Sequence, residues 1–125
     1  MGEIFPGAGI DADEAFWAAL ERLVRESEVV IDRPRGSSHP RYPNMIYGAD
    51  YGYLRDTTSM DGGGIDVWRG AGGGNRISGA IVTVDLVKRD SEIKILLDCS
   101  EEEISGIMRF HNDSEYMKGL LVRRR

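Results

Sequence analysis

The chain has 125 residues, of which 41% are hydrophobic and 30% charged, values typical of a single ordinary globular domain. Its formal net charge of −5 argues against a nucleic-acid-binding protein that works through a general basic surface. One cysteine excludes an internal disulfide, and no apolar run approaches the ~20 residues of a membrane span. We therefore expect one cytoplasmic domain over 1–125 that binds neither nucleic acid nor membrane.

The first predicted elements are a flexible lead-in over residues 1–10 and an amphipathic helix over 12–26. In "DADEAFWAALERLVRES", the helical period places Phe16, Leu20 and Leu23 on one face, together with Val24. Acidic residues fill the first turn, where they interact favourably with the helix dipole. This helix is expected to pack on the core.

Short strands with tight connections fill most of the remaining chain. They are predicted at 29–32, 51–54, 65–68, 79–87 and 92–99, with a last strand over 117–125. A second helix over 101–111 begins with a capping box, Ser100 followed by Glu103. The order favours a mainly β (α+β) fold, an antiparallel barrel-like sheet flanked by two helices, over a βαβ array.

The loop "RPRGSSHPRYP" after the first strand is rich in proline and in basic side chains. Its prolines oppose regular pairing. Arg33, Arg35 and Arg41 are candidate phosphate ligands, because guanidinium groups bind phosphate oxygens in a bidentate manner. A solvated basic loop is the alternative interpretation.

The segment "YGADYGYLRDTTSMDGGGIDVW" contains Asp56, Asp61 and Asp66 around three consecutive glycines. If the glycines form a tight turn, Asp61 and Asp66 can converge, and converging carboxylates favour a hard cation such as Mg²⁺. Glycine backbone amides can also approach an anion closely. Because Asp and Gly are also the commonest turn residues, a plain solvated turn is the alternative.

The same segments resemble the soluble family I inorganic pyrophosphatases. "VVIDRP" is similar to that family's V-I-E-x-P context. The later segment is similar to its Y-P-x-x-Y-G-[FY]-[IL]-x-x-T stretch and D-x-D-P-x-D-V motif. The matching positions are Tyr47, Tyr51, Gly52, Tyr53, Leu54, Thr57, Asp61, Asp66 and Val67. The resemblance spans roughly residues 28–113 and implies a small OB-like β-barrel with flanking helices.

The resemblance also implies Mg²⁺-dependent hydrolysis of pyrophosphate and a set of site residues. Asp61 and Asp66 match the first and third acids of the metal-binding motif, and Asp32 matches the acid after the early strand. Tyr51 and Lys94 match residues near phosphate. Asp85 or Asp90 matches an acid of the later hairpin, with an ambiguous register.

Several positions depart from the family pattern. Gly63 occupies the place of the middle acid, which in the family helps to activate the attacking water. The stretch between Pro34 and Tyr47 is much shorter than in the family and lacks its phosphate-binding hairpin. His111 and Asn112 replace a phosphate-binding Tyr-Lys pair, for which Lys118 is a candidate substitute.

Two functions follow from these patterns. The first is a compact Mg²⁺-dependent hydrolase of pyrophosphate or a related phosphoanhydride. In it Asp61, Asp66 and Asp32 bind metal, and Asp56 or Asp90 acts as the base. The basic loop, Tyr51 and Lys94 would hold phosphate. The alternative is a non-catalytic module that binds a phosphorylated metabolite or a protein partner. A homo-oligomer is compatible with both.

Overall fold

The computed structural model describes residues 14–124 and contains two helices and six strands. In chain order these are α1 (Glu14–Arg25), β1 (Val29–Arg33), β2 (Asp50–Leu54), β3 (Ile65–Arg69), β4 (Ile77–Asp85), β5 (Asp90–Leu97), α2 (Glu101–Asn112) and β6 (Met117–Arg123). The predicted lead-in over 1–10, the first residues of the predicted first helix and residue 125 lie outside the described residues. No helix within the described part is long and apolar enough to cross a membrane.

The strands form one sheet in the order β1-β2-β3-β5-β4-β6. Neighbouring strands are antiparallel except for β3 and β5, which run parallel. The parallel pair arises because the chain crosses from β3 to β4 and then returns through β5 between them. The predicted mainly β architecture with two helices is confirmed. The sheet is not closed within residues 14–124, so a barrel describes it only approximately.

The two helices cover opposite faces of the sheet, because neighbouring strand residues point to opposite sides. Trp17 and Val24 of α1 pack on Leu54, Val67 and other side chains of one face. Ile104 and Ile107 of α2 pack on Trp68, Leu96 and other side chains of the opposite face. The predicted capping box opens α2. The Ser100 hydroxyl accepts from the Glu103 amide at 3.1 Å, and the Glu103 carboxylate accepts from the Ser100 amide at 2.8 Å.

The register places polar side chains together on the α2 face. Tyr51 on β2 stands opposite Trp68 on β3, and Asp66 on β3 stands opposite Lys94 on β5. Glu92 lies two residues before Lys94, so both point to this face. Asp66, Glu92 and Lys94 therefore lie on the same face of the sheet as the aromatic core that α2 covers.

Candidate metal and phosphate site

Three carboxylates converge at one end of the sheet. One oxygen each from Asp61, Asp90 and Glu92 lies within 4.8 Å of the other two. Asp61 comes from the β2–β3 connection, Asp90 opens β5, and Glu92 lies further along the same strand. We call these three residues the acid group. It is the one set of this kind that residues 14–124 contain.

The glycine-rich turn fixes Asp61. Its Oδ1 accepts a hydrogen bond from the Gly63 amide at 2.9 Å and another from the Ser59 hydroxyl at 2.9 Å. These bonds, with the Gly63 amide contributing most, lower the pKa of Asp61 to about 2. The carboxylate is therefore ionised at neutral pH, as a metal ligand must be.

A second cluster adjoins the acid group deeper in the structure. The Lys94 ammonium donates to Asp66 Oδ2 at 2.7 Å and to Tyr51 Oη at 2.9 Å, and Tyr51 Oη donates to the same Asp66 oxygen at 2.8 Å. We call these residues the tyrosine–lysine cluster. Lys94 is almost fully buried and also lies 3.4 Å from Glu92 Oε1, which joins the cluster to the acid group.

Burial controls protonation in this joined set. It raises the pKa of Glu92 above its ordinary value, although the Lys94 ammonium acts in the opposite direction. Burial, followed by the charge of Asp66, raises the pKa of Tyr51 well above its usual range. Tyr51 is therefore a neutral phenol that donates to Asp66.

Arg33 extends the site toward the loop after β1. Its guanidinium lies 5.7 Å from the ring centroids of both Tyr47 and Tyr51, and its Nη1 donates to Tyr47 Oη at 2.5 Å. A cation stacked on tyrosine faces is held by the ring quadrupoles. Arg33 thus presents a positive group beside the tyrosine–lysine cluster.

Lys88 lies directly against the acid group. Its Nζ is 3.5 Å from Asp61 Oδ2 and 3.6 Å from Asp90 Oδ2. Burial alone would lower the pKa of Lys88, but Glu92, Asp90 and Asp61 together raise it. The acid group is therefore partly neutralised by a side chain of the same protein.

The acid group suits a hard divalent ion. Its donors are carboxylate oxygens, which Mg²⁺ and Ca²⁺ prefer. Around Mg²⁺, adjacent ligand oxygens are about 3 Å apart and opposite ones about 4.2 Å apart, so the three carboxylates, whose oxygens lie within 4.8 Å of one another, would move closer together to bind one ion. The exposure of Asp61, whose side chain is 39% accessible, leaves room for water and substrate oxygens.

Comparison with solved structures identifies this arrangement of strands. An inorganic phosphatase of Anaplasma phagocytophilum superposes with a TM-score of 0.53 and 17% identity, over 76% of this chain and 81% of that one. The inorganic pyrophosphatase of Helicobacter pylori superposes with a TM-score of 0.53 and 18% identity, over 79% of this chain and 85% of that one. The chain has a pyrophosphatase-like fold. No protein-family model and no curated protein sequence matches it.

Within this pyrophosphatase-like fold, the predicted acids lie in different places. Asp61 belongs to the acid group, and Asp66 belongs to the adjoining tyrosine–lysine cluster. Asp32 is exposed at a bulge in β1, where its charge acts on Arg33 and Tyr47. Asp56 is exposed in the turn after β2, with φ 61°, and lies outside the acid group.

The three predicted arginines also separate. Arg33 lies beside the tyrosine–lysine cluster, as described above. Arg35 lines an open cleft next to the start of α2, together with Glu102 and Glu103. Arg41 is exposed further along the loop, where its backbone amide donates to His39 Nδ1 at 3.0 Å. Among these three arginines, Arg33 contacts the tyrosine–lysine cluster, whereas Arg35 and Arg41 have their described contacts elsewhere.

The residues in place of the family's Tyr-Lys pair have structural contacts here. His111 is buried, and its Nε2 accepts from Trp68 Nε1 at 3.0 Å. Asn112 binds the backbone of Gly119 on β6. The Lys118 ammonium donates to the Asn112 carbonyl at 2.9 Å. All three side chains therefore have partners within the protein.

Glu92 and Lys88 belong to the site but were not among the predicted site residues. Glu92 and Lys94 alternate along β5, and this spacing of two places both on one face of a strand. That pattern is a signal for Glu92 in the sequence. Lys88 lies in "KRDS", which predicts a turn. A turn sequence does not indicate that this lysine contacts Asp61 and Asp90.

Proposed function

We propose that the chain is a hydrolase of pyrophosphate or a related phosphoanhydride that uses a divalent ion, with Mg²⁺ as the physiological choice. The acid group beside buried Lys94, on a pyrophosphatase-like fold, is the observation that carries the proposal. When bound, such an ion neutralises phosphate charge and makes water a stronger nucleophile. The proposed substrate is a small phosphate compound of the cytoplasm.

The residues divide into three roles in this proposal. Asp61, Asp90 and Glu92 hold the ion, and Asp66 pairs with Lys94 and orients it beside the acid group. Arg33 binds phosphate oxygens beside the tyrosine–lysine cluster. Buried Lys94, whose ammonium already donates to Tyr51, Asp66 and Glu92, contributes its positive charge to the site.

Asp90 is a better candidate base than Asp56, since Asp90 belongs to the acid group and would keep its second carboxylate oxygen free to accept a proton while the first binds the ion. Asp32 lies beside the Arg33 guanidinium and outside the acid group, so a metal-ligand role for it would require a separate ion position.

Phosphate release from pyrophosphate, measured with and without Mg²⁺, tests the proposal. The wild type should release phosphate in an Mg²⁺-dependent manner, and Asp61→Asn should lose at least about 100-fold in rate, the scale of an essential charged group. Glu115→Gln removes one exposed carboxylate between α2 and β6 and serves as the charge-matched control, with activity unchanged. Equal rates in all three proteins would refute the proposal.

A second candidate function is a non-catalytic module that binds a phosphorylated ligand. Gly63 favours it, because the position has no carboxylate to activate water. Calorimetry separates the two functions. Binding of Mg²⁺ and phosphate by the wild type without turnover would support the module, whereas turnover would exclude it.

A further inference from the structure

The tip of the β4–β5 hairpin holds a lysine at the acid group. Asp85 Oδ1 accepts hydrogen bonds from the Val87 amide at 2.9 Å and the Lys88 amide at 3.0 Å, which fixes the backbone of the turn. Arg89 then adopts φ 60°, and β5 begins at Asp90. The backbone of Lys88 is therefore held while its long side chain remains free to change rotamer.

The two lysines of the site differ in accessibility. The Lys94 side chain is 5% exposed and surrounded by partners, so it is a fixed part of the structure. The Lys88 side chain is 50% exposed and contacts Asp61 and Asp90 at 3.5 and 3.6 Å. Ion pairs this open to water contribute about 0.2–1 kcal/mol, so a divalent ion can displace such an ammonium.

Lys88 and a metal ion would compete for the same carboxylate oxygens. Asp61, Asp66, Asp90 and Glu92 with the two lysines carry a net charge of −2 when all are ionised. An ammonium and a divalent ion repel each other strongly at contact distance. An ion bound at the acid group would therefore drive the half-exposed Lys88 side chain outward into solvent, where an anionic substrate could meet it.

We propose that Lys88 is an exchangeable counter-ion: it occupies the acid group in the metal-free protein, leaves when the ion binds, and then binds the outer phosphate of the substrate. The inference rests on the proposed function. It assigns to Lys88 two successive partners, the carboxylates of the acid group and then a phosphate oxygen. Lys88 should therefore weaken metal binding, because it competes with the ion, and strengthen phosphate binding.

Lys88→Gln tests both partners at once. The variant should bind Mg²⁺ or Mn²⁺ about two- to fivefold more tightly than the wild type, since a competing ion pair of this kind is lost. With saturating Mg²⁺ it should bind inorganic phosphate at least about threefold more weakly and show a raised KM for pyrophosphate. A residue that merely stabilises the turn would not move the two affinities in opposite directions.

Arg89→Gln is the matched control, because it removes the same charge from the next residue of the same turn. Both variants are titrated by calorimetry, first with Mn²⁺ alone and then with phosphate at saturating Mg²⁺. Arg89→Gln should change each affinity less than Lys88→Gln does. Equal changes in the two variants would show a general charge effect and overturn the inference.

The remaining outcomes separate this inference from the proposed function. If the wild type binds metal and Lys88→Gln binds it no more tightly, the counter-ion role is wrong while the metal site stands. If Lys88→Gln binds metal and the wild type does not, Lys88 blocks the site permanently, which overturns the exchange and the proposed function together. If neither binds, no metal site exists and both proposals fail.

Discussion

Gly63 brings a backbone amide, in place of a side chain, to Asp61. A Cβ at this position would lie 3.2 Å from Asp61 Oδ1, and the Gly63 amide already donates to that oxygen at 2.9 Å. A carboxylate introduced here would join the acid group at close range. It would repel Asp61 in the absence of metal and become a further ligand in its presence.

We expect Gly63→Asp to bind Mg²⁺ about tenfold more tightly and, in chelator, to unfold about 1–2 kcal/mol more easily in urea. Gly63→Asn has the same shape without the charge and should show the loss of stability that is due to crowding alone. Calorimetry and urea unfolding of both variants measure the two effects. An affinity gain of the same size in Gly63→Asn would argue against a carboxylate ligand at this position.

His111 gives the fold a dependence on acid. Burial, followed by the charge of Lys94, lowers its pKa to about 3 from an ordinary 6.5. Because the pKa is depressed in the fold, the neutral imidazole contributes stability above pH 6.5, and this is lost as the pH falls from 6.5 to about 3. The loss is on the order of 5 kcal/mol, since each pKa unit corresponds to about 1.4 kcal/mol.

His111→Gln keeps an acceptor for Trp68 Nε1 without titrating in this range. We expect the variant to be less stable at pH 7 and to show a flatter decline of unfolding free energy between pH 6.5 and 4. Urea unfolding at half-unit pH steps measures both slopes. Parallel slopes would mean that the carboxylates, rather than His111, control acid stability.

Individual residues differ in how far the sequence reveals them. Asp61 and Asp66 stand out because "DGGGID" is a short local pattern. Asp90 and Glu92 join Asp61 through the pairing of β5 with β3, a long-range contact that local patterns do not encode. His111 on the inner stripe of a helix indicates burial, but its bond to Trp68, 43 residues away, depends on the packed structure.

At the scale of elements, Asn112 joins the end of α2 to the edge strand β6. Its side-chain amide donates to the Gly119 carbonyl at 3.3 Å and accepts from the Gly119 amide at 3.1 Å. These Gly119 groups point away from β4, because residues on either side of it make the ladder bonds. Asn112 therefore covers backbone groups that an open sheet edge would otherwise expose.

We expect Asn112→Ala to lower the free energy of unfolding by about 1–3 kcal/mol, as both backbone groups lose their partners. Asn112→Asp keeps the acceptor for the Gly119 amide and loses the donor, so it should lie between alanine and wild type. Urea unfolding measures the series. An alanine variant as stable as the wild type would show that water replaces the side chain without loss.

Gly52 sets the distance between β1 and β2. A Cβ at this position would lie 1.8 Å from the Val30 carbonyl oxygen on β1. No rotamer change relieves a clash with backbone, so we expect Gly52→Ala to lose β1–β2 pairing and at least about 3 kcal/mol of stability. Gly48→Ala is the control, because a Cβ there meets no atom within 4 Å. Similar unfolding midpoints for the two variants would contradict this role.

The sequence predicts most elements because each one carries its own signal. Alternation indicates β4 and β5, and the capping box places the start of α2 at the right residue. The parallel pairing of β3 with β5 has no such local signal, since parallel and antiparallel partners both suit a buried apolar strand. Closure of the sheet is equally non-local, because it depends on whether β1 and β6 meet.

For the whole molecule, the proposed metal site predicts a link between metal binding and stability. An ion that binds the folded acid group and not the unfolded chain stabilises the fold by about 1.4 kcal/mol at tenfold excess over its Kd. We expect Mg²⁺ to raise Tm by about 5 °C under these conditions. Sodium chloride at matched ionic strength corrects for screening of the net charge of −5.

Asp61→Asn should lose most of this Mg²⁺-dependent rise in Tm while unfolding close to the wild-type temperature in chelator. Differential scanning calorimetry of both proteins in both buffers provides the four values needed. A rise of equal size in the variant would indicate that Mg²⁺ binds elsewhere on the surface.

The parallel pairing of β3 with β5 also affects the order in which contacts form during folding. Asp61 and Asp66 belong to the hairpin of β2 and β3, whereas Lys88, Asp90, Glu92 and Lys94 belong to the hairpin of β4 and β5. Each hairpin can close through a short loop, but Asp66 and Lys94 meet across 28 residues of chain. Long loops close at a greater entropic cost, so this contact forms late in folding. A newly made chain would therefore acquire its secondary structure before the residues of the proposed metal site come together.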